Sequence, residues 1–113
     1  MKPIKWNIED EWQPLEAVMM GIGAGMGPAP ALNETYDPLS LRHVQAGTYP
    51  TEEAVKEELD AFAETLEQRG VRVLRPDALG INQVFTRDIG MVIDDLFIMT
   101  HMVEDRELEQ KGL

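Results

Sequence analysis

The chain contains no cysteine. That absence excludes a disulfide within these 113 residues, and it excludes a thiolate metal site or thiolate nucleophile built from them. Long apolar runs are also missing: none approaches the roughly 20 residues that cross a bilayer. Basic residues are scarce, with 10 Lys and Arg against 21 Asp and Glu and a formal net charge of −11. Such a field repels a phosphate backbone or an anionic lipid surface, so neither nucleic acid nor a membrane is an expected partner. An acidic balance of this kind mostly serves solubility. The opening MKPIKWNIEDEW carries acids and no apolar centre, so no signal peptide is expected and the cytoplasm is the default compartment. What remains is an ordinary globular composition, 43% apolar, at a length that fits one domain.

Along the chain, Leu15 to Ile22 is a mostly apolar run whose length and flanks predict a buried strand. The glycines that follow, Gly21, Gly23, Gly25 and Gly27, do not fit a phosphate loop. From Gly21 or Gly23 the sixth position of a dinucleotide fingerprint falls on Met26 or Pro28, and no Lys-Ser/Thr pair follows. Residues 21–50, with Pro28, Pro30, Pro38 and Pro50, read as an irregular and mobile Gly/Pro loop. The clearest helix starts after Thr51 as N-cap. It carries Val55, Leu59, Phe62, Ala63 and Leu66 on one face and ends with Gly70 at C′. A strand over 71–76 follows. Gly90 to Thr100 reads as a hairpin turning at Asp94-Asp95, and VEDRELEQKG as the start of a further polar helix.

Chemistry concentrates in residues 82–95. Asn82, Thr86, Arg87 and Asp88 form a polar cluster just before an apolar strand. A carboxylate at the start of a strand can accept paired hydrogen bonds from a planar guanidinium, and the ring of Phe85 can pack on the flat face of the same cation. The plainer alternatives are that Arg87 and Asp88 form a loop ion pair and that Asn82 is a turn residue.

Asn82-x-x-Phe85-Thr86-Arg87-Asp88 before an apolar hairpin resembles a motif of the arginine deiminases. RDIGMVIDDLFIMTHMVEDRELE is similar to the matching stretch of glycine amidinotransferases and their relatives. Glu11-Trp12-Gln13-Pro14-Leu15-Glu16-Ala17-Val18 looks like the opening strand of that group. Gln68-Arg69-Gly70-Val71-Arg72-Val73-Leu74-Arg75-Pro76 looks like the segment before its first site motif. The blocks occur in the family's order and cover most of the chain apart from 23–50.

The resemblance implies an α/β fold of pentein type, a propeller of ββαβ modules of which this chain holds about one and a half as the N-terminal portion of a single domain. It implies covalent chemistry on arginine or a related guanidine. A cysteine thiolate attacks the guanidinium carbon, a histidine acts as general acid and base, and water or an amine takes the amidino group off, with no cofactor. By position Asp88 matches the guanidinium-binding aspartate, and Asn82 and Phe85 match substrate-lining positions. Arg87 matches an arginine that is structural or that meets a substrate carboxylate. The family's catalytic cysteine and histidine lie far beyond residue 113, and neither His43 nor His101 matches that histidine. The chain alone is therefore expected to be an inactive part of such an enzyme. The alternative is a non-catalytic module that self-associates through an open strand edge, so a homo-oligomer is a possible partner state.

Overall fold

Thr51 accepts a hydrogen bond from the Ala54 amide through its Oγ1 (3.2 Å) and starts the long helix as its cap, with Glu52 and Glu53 in the first turn. This helix start and its continuation are seen in a computed structural model that describes residues 3–113. Met1 and Lys2, the beginning of the polar opening segment, lie outside the described residues. The elements in chain order are strand β1 (Ala17–Met19), helix α1 (Pro38–Ala46), helix α2 (Glu52–Glu67), β2 (Arg72–Leu74), β3 (Gly90–Ile93) and β4 (Leu96–Met99). Three 3-10 segments, Leu32–Glu34, Thr86–Asp88 and Glu104–Gly112, complete them. The architecture mixes helix and strand.

Helix α2 ends as the sequence predicts. Gly70 takes φ 79°, a left-handed conformation that a side chain disfavours. Gly70 N–H then donates to Glu67 O and Val71 N–H to Leu66 O, closing the helix with a Schellman pair. The chain turns directly into β2, which pairs in parallel with β1 (Ala17↔Arg72, Val18↔Val73, Met19↔Leu74), and α2 lies against β2. A strand, a crossover helix and a parallel strand result. Strands β3 and β4 pair antiparallel as a separate sheet, with Asp94 at φ 52° in the turn. Asp94 also pairs with Ile8, which brings the N-terminal segment onto the hairpin end. Trp6 packs against Phe97 there, with ring centroids 5.3 Å apart and the planes tilted by 42°.

The apolar core is small. Among the described residues, Met20, Ala63, Val71, Ile89 and Met102 are its buried apolar members. Of the α2 face, Ala63 is buried, Val55, Leu59 and Leu66 are half-buried, and Phe62 is exposed. Methionines divide in the same way: Met20 and Met102 fill the core, while Met91 and Met99 face solvent.

The structure corrects several expectations. The run from Leu15 to Ile22 yields a strand of three residues, half-buried rather than buried, because only β2 covers it on one edge. Residues 21–50 are not irregular throughout. Asp37 Oδ1 caps the amides of Leu39 and Ser40, Pro38 occupies the first turn, and Gly47 ends α1 at φ 69°. Nor is the glycine stretch an untethered loop. Gly21 O accepts from Arg75 Nη1, and Ile22 pairs with Gln83. The Glu52 carboxylate takes the amides of Gly25 (2.9 Å) and Gly27 (2.8 Å). Gly21 is required sterically, since a Cβ there would overlap the Val84 carbonyl. The polar segment after Val103 is helical, as expected, and takes the 3-10 form.

Candidate functional site

The segment between β2 and β3 is fixed by side chains that reach back to the backbone. Asn82 Oδ1 accepts from the Val84 amide (3.2 Å) and shapes its own turn. Gln83 is buried. Its Nε2 donates to Asp77 O (2.8 Å) and its Oε1 accepts from the Leu79 amide (2.8 Å), so it closes the loop 77–83. Thr86 Oγ1 donates to Met19 O (3.0 Å), which ties the 3-10 turn to the end of β1. Thr100 Oγ1 donates to Asp88 O, and Ile89, buried, anchors the start of β3. Asp88 therefore stands on a backbone held from the end of β1, from the residue after β4 and from the core.

The Asp88 carboxylate faces two guanidinium groups. Arg106 Nη1 donates to Oδ2 at 2.9 Å, and Arg87 Nε donates to Oδ1 at 3.3 Å. The two contacts differ in kind. Arg87 is 93% exposed and makes one long contact, whereas the Arg106 side chain is 20% exposed and fully engaged. Arg106 Nε and Nη2 hold Glu109 Oε2 and Oε1 at 2.7 and 3.0 Å, and Nη2 also reaches Phe85 O at 3.3 Å. Glu109 is buried, so its pairing with a forked guanidinium satisfies a charge that burial would otherwise penalise. Gln110 Nε2 docks the same 3-10 helix onto Ile89 O (3.1 Å) and Thr100 O (2.8 Å).

Acidities follow this arrangement. Hydrogen bonding from Arg106 holds the Asp88 carboxyl below its ordinary value of 3.8; burial opposes this, and Arg87 adds a further lowering. The Glu109 hydrogen bonds, with Asp88 behind them, raise Arg106 above its ordinary value.

Of the residues singled out in the sequence, Asp88 and Arg87 are brought together as the ion pair that was the plainer alternative. Asn82 acts as a turn residue. Phe85 is exposed, and its carbonyl rather than its ring meets the guanidinium of Arg106. Asp88 does not present both oxygens freely, because Arg106 already holds one. Arg106 and Glu109 were not recognised in the sequence. The available signal was Arg followed by Glu three residues later on a helical segment, a spacing that places the two side chains side by side. His43 bonds Thr48 Oγ1 through Nδ1 (2.8 Å) on exposed α1, and His101 is exposed; neither lies in the Asp88 cluster.

Two shallow depressions mark the surface among the described residues. One, about 190 Å³, is lined by Ile22, Gly23, Ala24, Lys56, Asp60 and Arg75. The other, about 390 Å³, is lined by Ile4, Lys5, Trp6 and Asp95. Neither includes Asp88. Among the described residues no three His, Cys, Asp or Glu side chains converge as a metal site, and no helix is long and apolar enough to cross a membrane. No protein-family model matches the chain. No curated protein matches it either.

Proposed function

We propose that this chain is the N-terminal part of a guanidine-modifying enzyme of the pentein class, an amidinotransferase or a deiminase-like hydrolase, in which Asp88 holds the substrate guanidinium. The observation that carries the reading is the Asp88 carboxylate itself. It is anchored through its backbone, kept ionised, and already engaged with a guanidinium at 2.9 Å. The ordered blocks at 11–18, 68–76 and 82–95 supply the family resemblance.

In the proposed chemistry Asp88 orients the cation and offsets its charge as a thiolate forms a bond to the guanidinium carbon. The C–N bond to the leaving amine then breaks, and a histidine supplies that amine with its proton. Both groups belong to sequence outside these 113 residues. Loss of the whole amidino group from arginine leaves ornithine, and replacement of one terminal nitrogen by water leaves citrulline.

The test uses the protein isolated from its native source. Its intact mass and C-terminal sequence are measured first, and turnover of L-arginine is then followed for the parent protein and its Asp88→Ala variant. A mass several times 12.7 kDa, a downstream cysteine and histidine, and abolished turnover in the variant are the expected results. Full turnover with Asp88→Ala would remove the assignment.

A second reading, a self-associating module without catalysis, draws on a separate observation. The paired residues Met91 and Ile98, and Ile93 and Leu96, share one face of the hairpin, and all four are exposed. A well-behaved monomer by light scattering counts against this reading.

A further inference from the structure

Asp88 is held by two cations that differ in how firmly they are bound, and this asymmetry assigns them different roles. We propose that Arg106 is a positioning residue: it fixes Oδ2 of Asp88 so that Oδ1 is presented as the acceptor for a ligand guanidinium, with Arg87 as the displaceable group over it. The inference rests on the reading of Asp88 as a guanidinium ligand and adds to it which oxygen is used and what holds the carboxylate still.

The competing idea is that Arg106 occupies the ligand's own place and must be expelled. The contacts oppose it. Three of its donor contacts go to Glu109 and Phe85 O rather than to Asp88, at 2.7, 3.0 and 3.3 Å. Expelling Arg106 would strip the guanidinium from Glu109, whose side chain is only 7% exposed, and a buried carboxylate left unpaired is strongly destabilising. The same movement would loosen the 3-10 helix that Gln110 docks onto Ile89 and Thr100. Arg87 has none of these ties. A solvent-exposed ion pair with one 3.3 Å contact is worth little and gives way to an incoming cation. A ligand therefore arrives at Oδ1, on the Arg87 side, and leaves the Asp88–Arg106–Glu109 chain intact.

The experiment compares the whole protein, its nucleophilic cysteine replaced by alanine so that L-arginine is bound and not consumed, with the Arg106→Met/Glu109→Gln variant of the same protein. This pair of substitutions removes one cation and one anion together, so the net charge beside Asp88 is unchanged and no buried carboxylate is left alone. Two readouts are taken by NMR: the Hα–Hβ couplings of Asp88, which report whether its side chain keeps one rotamer, and a titration with L-arginine. The expected result is a single rotamer in the parent, averaged couplings in the variant, and binding of L-arginine weakened about tenfold.

Tighter binding in the variant would mean that Arg106 competes with the ligand, and unchanged couplings would mean that it does not position Asp88. Either result overturns the proposal. Arg106→Lys keeps a cation beside Glu109 without the fork that bridges two carboxylates; averaged couplings are expected there too, so the test survives if the double variant fails to fold. Arg87→Ala is expected to bind methylguanidinium, which has no carboxylate for Arg87 to meet, no more weakly than the parent, and a loss there would reverse the roles. If the parent does not bind L-arginine at all, the reading of Asp88 as a guanidinium ligand falls, while the couplings still decide whether Arg106 positions it.

Discussion

Gln83 shows what a single side chain contributes to the site. It is 2% exposed, yet both ends of its amide are bonded to backbone, at Asp77 O and at the Leu79 amide. Its own carbonyl accepts from Ile22 N–H (3.1 Å), so one residue joins the glycine stretch to the loop before Asp88. Gln83→Leu keeps comparable bulk but leaves the half-buried Leu79 amide and Asp77 carbonyl without their partner. A loss of about 1–3 kcal/mol is expected in urea unfolding. At the same scale, the carboxyls of Asp88, Glu52 and Asp37 all sit below their ordinary values. The causes are the Arg106 hydrogen bond, the Gly25 and Gly27 amides, and hydrogen bonds from Ser40 and Leu39, respectively. Groups of this kind stabilise the fold above the ordinary carboxylate range, and the benefit is lost as pH falls through their lowered folded values. The melting temperature is therefore expected to be level above about pH 5 and to drop below about pH 4. In Asp88→Asn/Glu52→Gln the drop is shallower.

Among the elements, the loop before α1 and the first turn of α2 behave as one unit, because Glu52 joins them. Thr51 already caps α2, so Glu52 is spared from the helix and its two oxygens hold Gly25 and Gly27 instead. Glu52→Gln has one acceptor in place of two. Hydrogen exchange at the Gly25 and Gly27 amides is expected to quicken by about tenfold or more while the α2 amides stay protected. Equal protection of the two glycines in the variant would show that the loop is held by something else.

Elements whose signals are local were legible in the sequence. Thr51 and Gly70 bracket α2, and Asp94-Asp95 marks the hairpin turn. Helix α1 was missed although Asp37, Pro38 and Gly47 are ordinary start and stop residues, because its half-buried apolar stripe is only Leu41 and Val44, too short to show a period. The Asp88–Arg106 pair was missed for a different reason. Its partners are 18 positions apart, on a 3-10 turn and a 3-10 helix, and no periodicity links them.

As a whole molecule the chain exposes far more surface than its mass requires. A folded monomer of 12.7 kDa has about 6,200 Å² of accessible surface by the usual scaling, against 8620 Å² here. The radius of gyration, 15.6 Å, likewise exceeds the roughly 13 Å expected for a compact chain of this length. The excess is larger than the roughly 800 Å² that one partner contributes to a standard interface. Part of it lies on the hairpin face of Met91, Ile93, Leu96 and Ile98, from 40% to 62% exposed. Two-stranded sheets such as these are marginal without a covering layer. The isolated chain is therefore expected to bind an apolar dye and to show a mass that rises with concentration in light scattering. Leu96→Glu/Ile98→Glu should reduce both, and a dye-free, concentration-independent monomer of the parent sequence would contradict this.

The parallel pairing of β1 with β2 also fixes an order of events during synthesis. Met19 has no partner until Leu74 has left the ribosome, a wait of several seconds at roughly 5–20 residues per second. The hairpin, whose partners are neighbours in the chain, closes within microseconds of emerging. The nascent polypeptide thus carries Ala17–Met19 unpaired while α1 and α2 are being made, and a chaperone that binds short apolar segments has that interval in which to act.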